Sequence, residues 1–224
     1  MAHGIRLMVF DMAGTTVEDG GQVPIAFGAA LAECGIDLNA EQLGKVRGAS
    51  KREAIAELVA RHAGPAWQGR ADGVYASFVR HLEREFGAGV RALPGAEEAF
   101  AYLRAEGIKI ALSTGFDRDI AALLLDALGW RKTADFFVCG DDVPRGRPAP
   151  YLIFRAMEAT GVDSVHAVGA LGDTVLDLQA GFNAGVRLNV GTLSGAHDRG
   201  MLAREPHTHL IANVAELPAL LRSL

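Results

Sequence analysis

What most constrains this chain is a rhythm of short apolar runs alternating with amphipathic stretches. Leu7 to Phe10, Ile108 to Leu112, Phe136 to Cys139, Ala167 to Leu171 and Arg187 to Val190 each look like a strand followed by a helical segment. Strands buried on both faces read as continuous apolar runs, and strands that alternate with helices run parallel. The pattern predicts an α/β fold: a Rossmann-like parallel sheet with helices on both faces. One interval breaks the rhythm. From Val23 to Phe86 the chain reads as successive helices, flanked by Asp19-Gly20-Gly21 and by Gly87-Ala88-Gly89 to Pro94-Gly95. We expect a small α-helical domain over residues 19–91 inserted into a core made of residues 1–18 and 92–224, joined to it by two flexible strands. The tail from His207 to Leu224 reads as a last strand and an amphipathic helix that close the sheet.

With 50% hydrophobic and 22% charged residues the chain can bury a sizeable core. A formal charge of -5 supplies no basic field for nucleic acid. No run reaches the roughly 18 apolar residues a membrane span needs. The N-terminus runs straight into a strand without signal-peptide features, so a cytoplasmic location is expected. Cys34 and Cys139 are the only cysteines and suggest neither a disulfide nor a zinc site. His62, His81, His207 and His209 share no ligand spacing, and Trp67 and Trp130 read as packing anchors.

Ligands of open parallel sheets bind beyond the carboxyl ends of the strands, and four polar clusters fall there. Asp11 is followed by Ala13, Gly14 and Thr15 in a small turn whose backbone N–H groups could cradle an anion, although an aspartate at a strand end is often a simple turn former. Ser113, Thr114 and Gly115 close the second core strand and offer hydroxyls to a phosphoryl oxygen, unless they end the strand for local reasons. Arg147 stands on a proline-flanked segment where a fixed cation can neutralise a phosphate, or it is a solvated loop residue. Asp173 and Asp177 lie one helical turn apart, near enough to serve one hard cation. Mg2+ suits a site made of Asp11, Asp173 and a backbone carbonyl, here that of Ala13, because it keeps its waters and the substrate's oxygens.

Taken together, the four clusters resemble the haloacid dehalogenase superfamily over essentially the whole chain, with the helical insert matching that family's mobile cap. The resemblance implies that Asp11 attacks phosphorus and forms an aspartyl-phosphate which water then hydrolyses. It implies that Mg2+ and Arg147 offset charge on the phosphoryl oxygens while Thr114 positions one of them. A homodimer through the cap is implied by the resemblance alone.

Most phosphatases of that superfamily carry a second aspartate two residues after the nucleophile, to protonate the leaving alkoxide. Here the position is Ala13. Loss of a general acid costs about 10²- to 10⁴-fold when the leaving group is poor. The phosphonatase branch shares the substitution, and its Asp-x-Ala-Gly-Thr-Thr motif is reproduced by Asp11 to Thr16. In that branch a cap lysine forms a Schiff base with phosphonoacetaldehyde. Gly48 and Lys51, in Arg47-Gly48-Ala49-Ser50-Lys51, match its Gly-x-x-Lys.

Ser50 and Glu53 form an expected capping box, which puts Lys51 in the first turn of a helix. The positive end of a helix disfavours a cation and makes the nucleophilic amine more accessible. A surface lysine in a charged first turn is the other reading. Departures from the branch bear on the substrate: Arg47 replaces a methionine, Ala54 a histidine, Gly21 a cysteine and Phe116 a tyrosine.

Three functions are thus in play: cleavage of a carbon–phosphorus bond, hydrolysis of a small phosphate monoester with Arg47, Lys51 and Arg52 binding the anion, and non-catalytic binding of a phospho-ligand. The last leaves a nucleophile beside a metal site without purpose.

Overall fold

A computed structural model describes residues 4–18, 20–39, 42–43, 49–67, 69–87 and 89–224. Arg47 and Gly48 lie outside the described residues, as do Asp19 and Ala88 of the two connecting strands.

Six strands form one parallel sheet: β1 (Leu7–Asp11), β2 (Lys109–Ser113), β3 (Phe136–Val138), β4 (Val168–Gly172), β5 (Leu188–Thr192) and β6 (His209–Ile211). Their spatial order is β3-β2-β1-β4-β5-β6. Side chains alternate along β1. Met8 and Phe10 face one apolar cluster, and Leu7 and Val9 face another. The Met8 side is covered by α4 (Ala96–Ala105), α5 (Arg118–Ala127) and α9 (Leu217–Ser223), and the Leu7 side by α6 (Tyr151–Thr160) and α7 (Val175–Ala184). A short α8 (Arg199–Leu202) precedes β6. On the Met8 side Phe100 meets both Phe10 and Trp130 edge-on at 5.3 Å between ring centroids. Such pairs contribute about 0.5–1.5 kcal/mol each beyond the area they bury. Trp130 also donates its indole N–H to Glu97, so it is the packing anchor its sequence suggests.

The long interval in the rhythm holds α1 (Gln22–Ala32), α2 (Lys51–His62) and α3 (Ala71–Gly87). They bury their own apolar cluster, with Phe27, Ile55, Phe78 and Leu82 at its centre. In α3 the residues Val74, Tyr75, Phe78 and Leu82 recur at helical spacing and are all buried. Phe116 and Ile120, which follow β2, complete this cluster from the sheet side. No helix among the described residues is long and apolar enough to cross a membrane.

β1 lies between β2 and β4, the point at which the strand order reverses. A crevice opens there beyond the carboxyl ends of the strands. In the register, Asp11 stands beside Ser113, and Phe10 beside Leu171, two residues before Asp173. The sheet therefore brings together clusters that are far apart in sequence.

Candidate active site

The turn after β1 is held from within. Thr16 Oγ1 donates to the carbonyl of Asp11 at 3.1 Å, and the amides of Thr15, Thr16 and Val17 all donate to the carbonyl of Met12. The amide of Gly14 donates to Val17. The N–H cradle expected at Gly14 and Thr15 is therefore spent on the turn itself. Both residues serve Asp173 instead. Thr15 Oγ1 donates to Asp173 Oδ1 at 2.9 Å. Gly14, at φ 88°, lies so close that an added Cβ would stand 2.5 Å from Asp173 Oδ2, a conformation and a space that suit glycine.

The carboxylate of Asp11 accepts from Arg147 at 2.7 Å. The same guanidinium donates to Ser113 Oγ at 2.6 Å and pairs through Nε with Asp177 Oδ1 at 2.9 Å. Ser113 in turn donates to the carbonyl of Phe10. Ser113 thus holds the arginine behind Asp11 and does not line the pocket in front of it. Thr114 does line that pocket. Its Oγ1 accepts from the amide of Phe116 at 3.2 Å, so the hydroxyl keeps its hydrogen to donate to a ligand.

Asp177 sits one helical turn beyond Asp173, as its spacing predicts, but both of its oxygens are engaged. Oδ2 accepts from the amide and hydroxyl of Thr174 in a capping box that starts α7, and Oδ1 faces Arg147. It is placed to orient the arginine. Asp173 also has both oxygens engaged, Oδ1 by the hydroxyl of Thr15 and Oδ2 by the amide of Ala196 at 2.7 Å, but these donors are uncharged.

Charge is out of balance at this centre. Asp11, Asp173 and Asp177 bring carboxylate oxygens within 4.8 Å of one another, all buried, and among the described residues the guanidinium that pairs with them is that of Arg147. Burial pushes Asp11 up to about 7, with Arg147 opposing the rise and Asp177 adding to it. Asp173 is raised well above the ordinary carboxylate range, first by burial and then by Asp11 and Asp177. Burial works against the charge of Arg147, yet Asp177 and Asp11 outweigh it and hold that pKa above its usual value. Groups that must gain protons to coexist are suited to sharing a hard divalent cation, so the residues fit a metal. Cys139, Asp141 and Asp142 also converge. Burial pushes that thiol up to about 12, however, and Arg118 neutralises Asp142, so this group lacks a ligand's charge.

The pocket in front of Asp11 offers roughly 630 Å³, part of it open to solvent. Its floor is Asp11, Ala13, Thr114 and Asp173, and its far wall is apolar, with Val23, Pro24, Phe27 and Phe116. Lys51 projects into the same pocket from the first position of α2, is 7% exposed, and donates from Nζ to the carbonyl of Ala49 at 3.0 Å. The capping box expected around it is half formed. Ser50 Oγ accepts from the amide of Glu53, but the Glu53 carboxylate accepts from the amide of Gly146 on the sheet side.

The sequence reading missed a fifth cluster. The loop after β5 carries Ser194, whose hydroxyl donates to Gly14, and Ala196, whose amide holds Asp173. Beside them, buried His197 accepts the Val175 amide at Nδ1. The rule that found the other clusters points here too, since Thr192 to Ala196 directly follows an apolar run.

Residues 5–185 match the haloacid dehalogenase-like hydrolase family. A phosphonoacetaldehyde hydrolase of Syntrophobacter fumaroxidans is 32% identical over 215 residues, which cover 90% of this chain and 76% of that protein. Another, of Parabacteroides distasonis, is 32% identical over 213 residues, covering 88% and 80%. The crystal structure of a hydrolase from Pseudomonas syringae superposes with a TM-score of 0.85 at 25% identity, covering 98% of this chain and 99% of that one. With the family matched from β1 through α7, the helical insert included, this chain belongs to the haloacid dehalogenase-like hydrolases.

Proposed function

We propose that this hydrolase cleaves the carbon–phosphorus bond of phosphonoacetaldehyde or a closely related phosphonate. The observation that carries the reading is that Lys51 shares a pocket with Asp11, while the position of the usual proton donor is Ala13. An amine and a nucleophilic carboxylate facing one pocket, with Thr114 and Arg147 beside the carboxylate and apolar residues opposite, suit a substrate with a carbonyl at one end and a phosphonyl group at the other.

In this reading the amine of Lys51 adds to the aldehyde and, with loss of water, gives an iminium. Asp11 attacks phosphorus in line, and the C–P electron pair passes into the iminium to leave an enamine. No alkoxide forms, so no acid is required at position 13. The enamine takes a proton at carbon, and hydrolysis of the imine releases acetaldehyde and restores the amine. Water then attacks the aspartyl-phosphate to release phosphate. Arg147 and Thr114 hold the phosphoryl oxygens through both displacements. Asp11, Asp173 and the carbonyl of Ala13 would hold Mg2+, which supplies a positive charge against the oxygens where negative charge develops. The helical insert acts as a cap over residues 19–91 that excludes water from the iminium.

Two relatives named for this activity, matched over most of their length, support the reading. Borohydride reduction in the presence of phosphonoacetaldehyde should alkylate Lys51 and abolish turnover. If no adduct forms, and Lys51→Ala hydrolyses a phosphate monoester as fast as the parent, the ester reading replaces this one. An Asp11→Asn variant that keeps its turnover would sink both.

A further inference from the structure

The first turn of α2 is fastened to the sheet side by three consecutive residues. The amide of Lys51 reaches the carbonyl of Gly115 at 3.4 Å. Arg52 Nε donates to Asp117 at 2.9 Å, with NH2 at 2.8 Å from the same oxygen. Glu53 Oε1 accepts from the amide of Gly146 at 3.3 Å. Gly115 and Asp117 follow Thr114 in the same loop, and Gly146 precedes Arg147, so this one turn touches the segments that carry both residues.

Arg52 is the most widely connected of the three. Its guanidinium reaches Asp72 on α3 at 2.7 Å and lies 4.0 Å over the ring of Tyr75, while its other edge reaches Asp117. It therefore spans two helices of the insert and one loop of the sheet domain.

Asp117 has given something up for this contact. It stands at the N-cap of α5, where an aspartate ordinarily accepts an amide of the first turn, yet it makes no side-chain cap hydrogen bond. The first amide of the helix, that of Arg118, donates to Asp141. A capping residue turned away from its own helix toward a cation across a junction suits a contact that serves the junction.

We propose that Arg52 is a positioning residue: by clasping Asp117 it seats the turn carrying Lys51 against the Thr114 loop, so that amine and phosphoryl site meet at the right separation. This rests on Lys51 as the amine that meets the substrate. Displacement by about 1 Å at a reacting centre is enough to cost on the order of 10²-fold.

The test is Arg52→Ala, with Asp117→Asn approaching the same contact from the other side. Both should lower kcat on phosphonoacetaldehyde about 10- to 100-fold, and Arg52→Lys should recover part of it. Inhibition by inorganic phosphate, which binds the sheet side, should stay within twofold of the parent. Amides of residues 51–54 should exchange with deuterium about tenfold faster, while those of β1 and β4 stay as protected as in the parent. The exchange arm does not depend on the chemistry of Lys51: a parent enzyme that forms no borohydride adduct sinks the Schiff-base reading and leaves Arg52 to be judged on exchange alone. If exchange at 51–54 is unchanged in both variants, or if phosphate binding weakens as much as kcat falls, the inference is wrong.

Discussion

The two walls of the active-site pocket are built on opposite principles. On the sheet side Asp11, Ser113, Arg147, Thr174 and Asp177 form a buried polar network in which each member is held by another, and Asp173 is fixed beside it by Thr15 and the amide of Ala196. On the insert side the surface is largely apolar, with Val23, Pro24 and Phe27, and Lys51 brings its amine to it. A network of this density fixes positions to a fraction of an ångström and permits little variation, since any unpaired member is costly. An apolar wall with one reactive group can change shape around a different leaving group at small cost. In the proposed reaction the sheet side acts on phosphorus and the insert side on the group that departs from it.

The largest effect should come from taking one member out of the network. Arg147→Ala leaves three buried carboxylates without their guanidinium, and removing one partner of such a group costs about 3–5 kcal/mol. Turnover should fall by about 10³-fold or more through loss of charge stabilisation. Thermal unfolding and steady-state rates check the two halves. Arg147→Lys should fall between, because a point charge cannot reach Asp11, Ser113 and Asp177 at once. Should Arg147→Ala melt with the parent, the contrast between a rigid wall and an adaptable one fails.

A smaller effect is expected where the two walls touch. A Cβ on Gly115 would stand 2.5 Å from the carbonyl oxygen of Ala49, a backbone atom that can yield only if the insert moves. Gly115→Ala should therefore hold the insert away from the sheet and lower kcat by about 10- to 100-fold, with less loss of melting temperature than Arg147→Ala. Full turnover in this variant would mean that the seating of Ala49 on Gly115 is not the working arrangement.

The same contrast governs what could be read from the sequence. The sheet was legible because burial on both faces writes strands as uninterrupted apolar runs, and because its ligands cluster directly after them. Asp11, Arg147 and Asp173 converge as their placement suggested. The use of each group was less legible. Nothing local distinguishes Asp177 as the partner of Arg147 from Asp177 as a metal ligand, and the amides of Gly14 and Thr15 turn inward for reasons set by the turn as a whole. The insert was legible as helices but not as contacts. That Glu53 abandons its capping box for Gly146, and Asp117 its own helix for Arg52, follows from where two surfaces meet. Such choices depend on tertiary partners that helical periodicity does not encode.

The smallest effect is a pH dependence confined to the sheet side. An ordinary aspartate titrates near 3.9 in an unfolded chain, whereas burial pushes Asp11 up to about 7 and raises Asp173 well above its usual range. Between those limits the folded, metal-free protein binds more protons than the unfolded chain. Their contribution to stability is therefore complete below about pH 4 and is lost as pH rises through 7. A divalent cation competes with these protons and supplies the missing positive charge, so it should stabilise more at high pH than at low. Calorimetry of chelator-treated protein should give a lower melting temperature at pH 8 than at pH 5.5, and added Mg2+ should close most of the gap. Asp11→Asn should flatten the slope. A melting temperature of the metal-free protein that climbs from pH 5.5 to 8 would mean the carboxylates are already neutralised within the fold, and the case for a cation between Asp11 and Asp173 would fall with it.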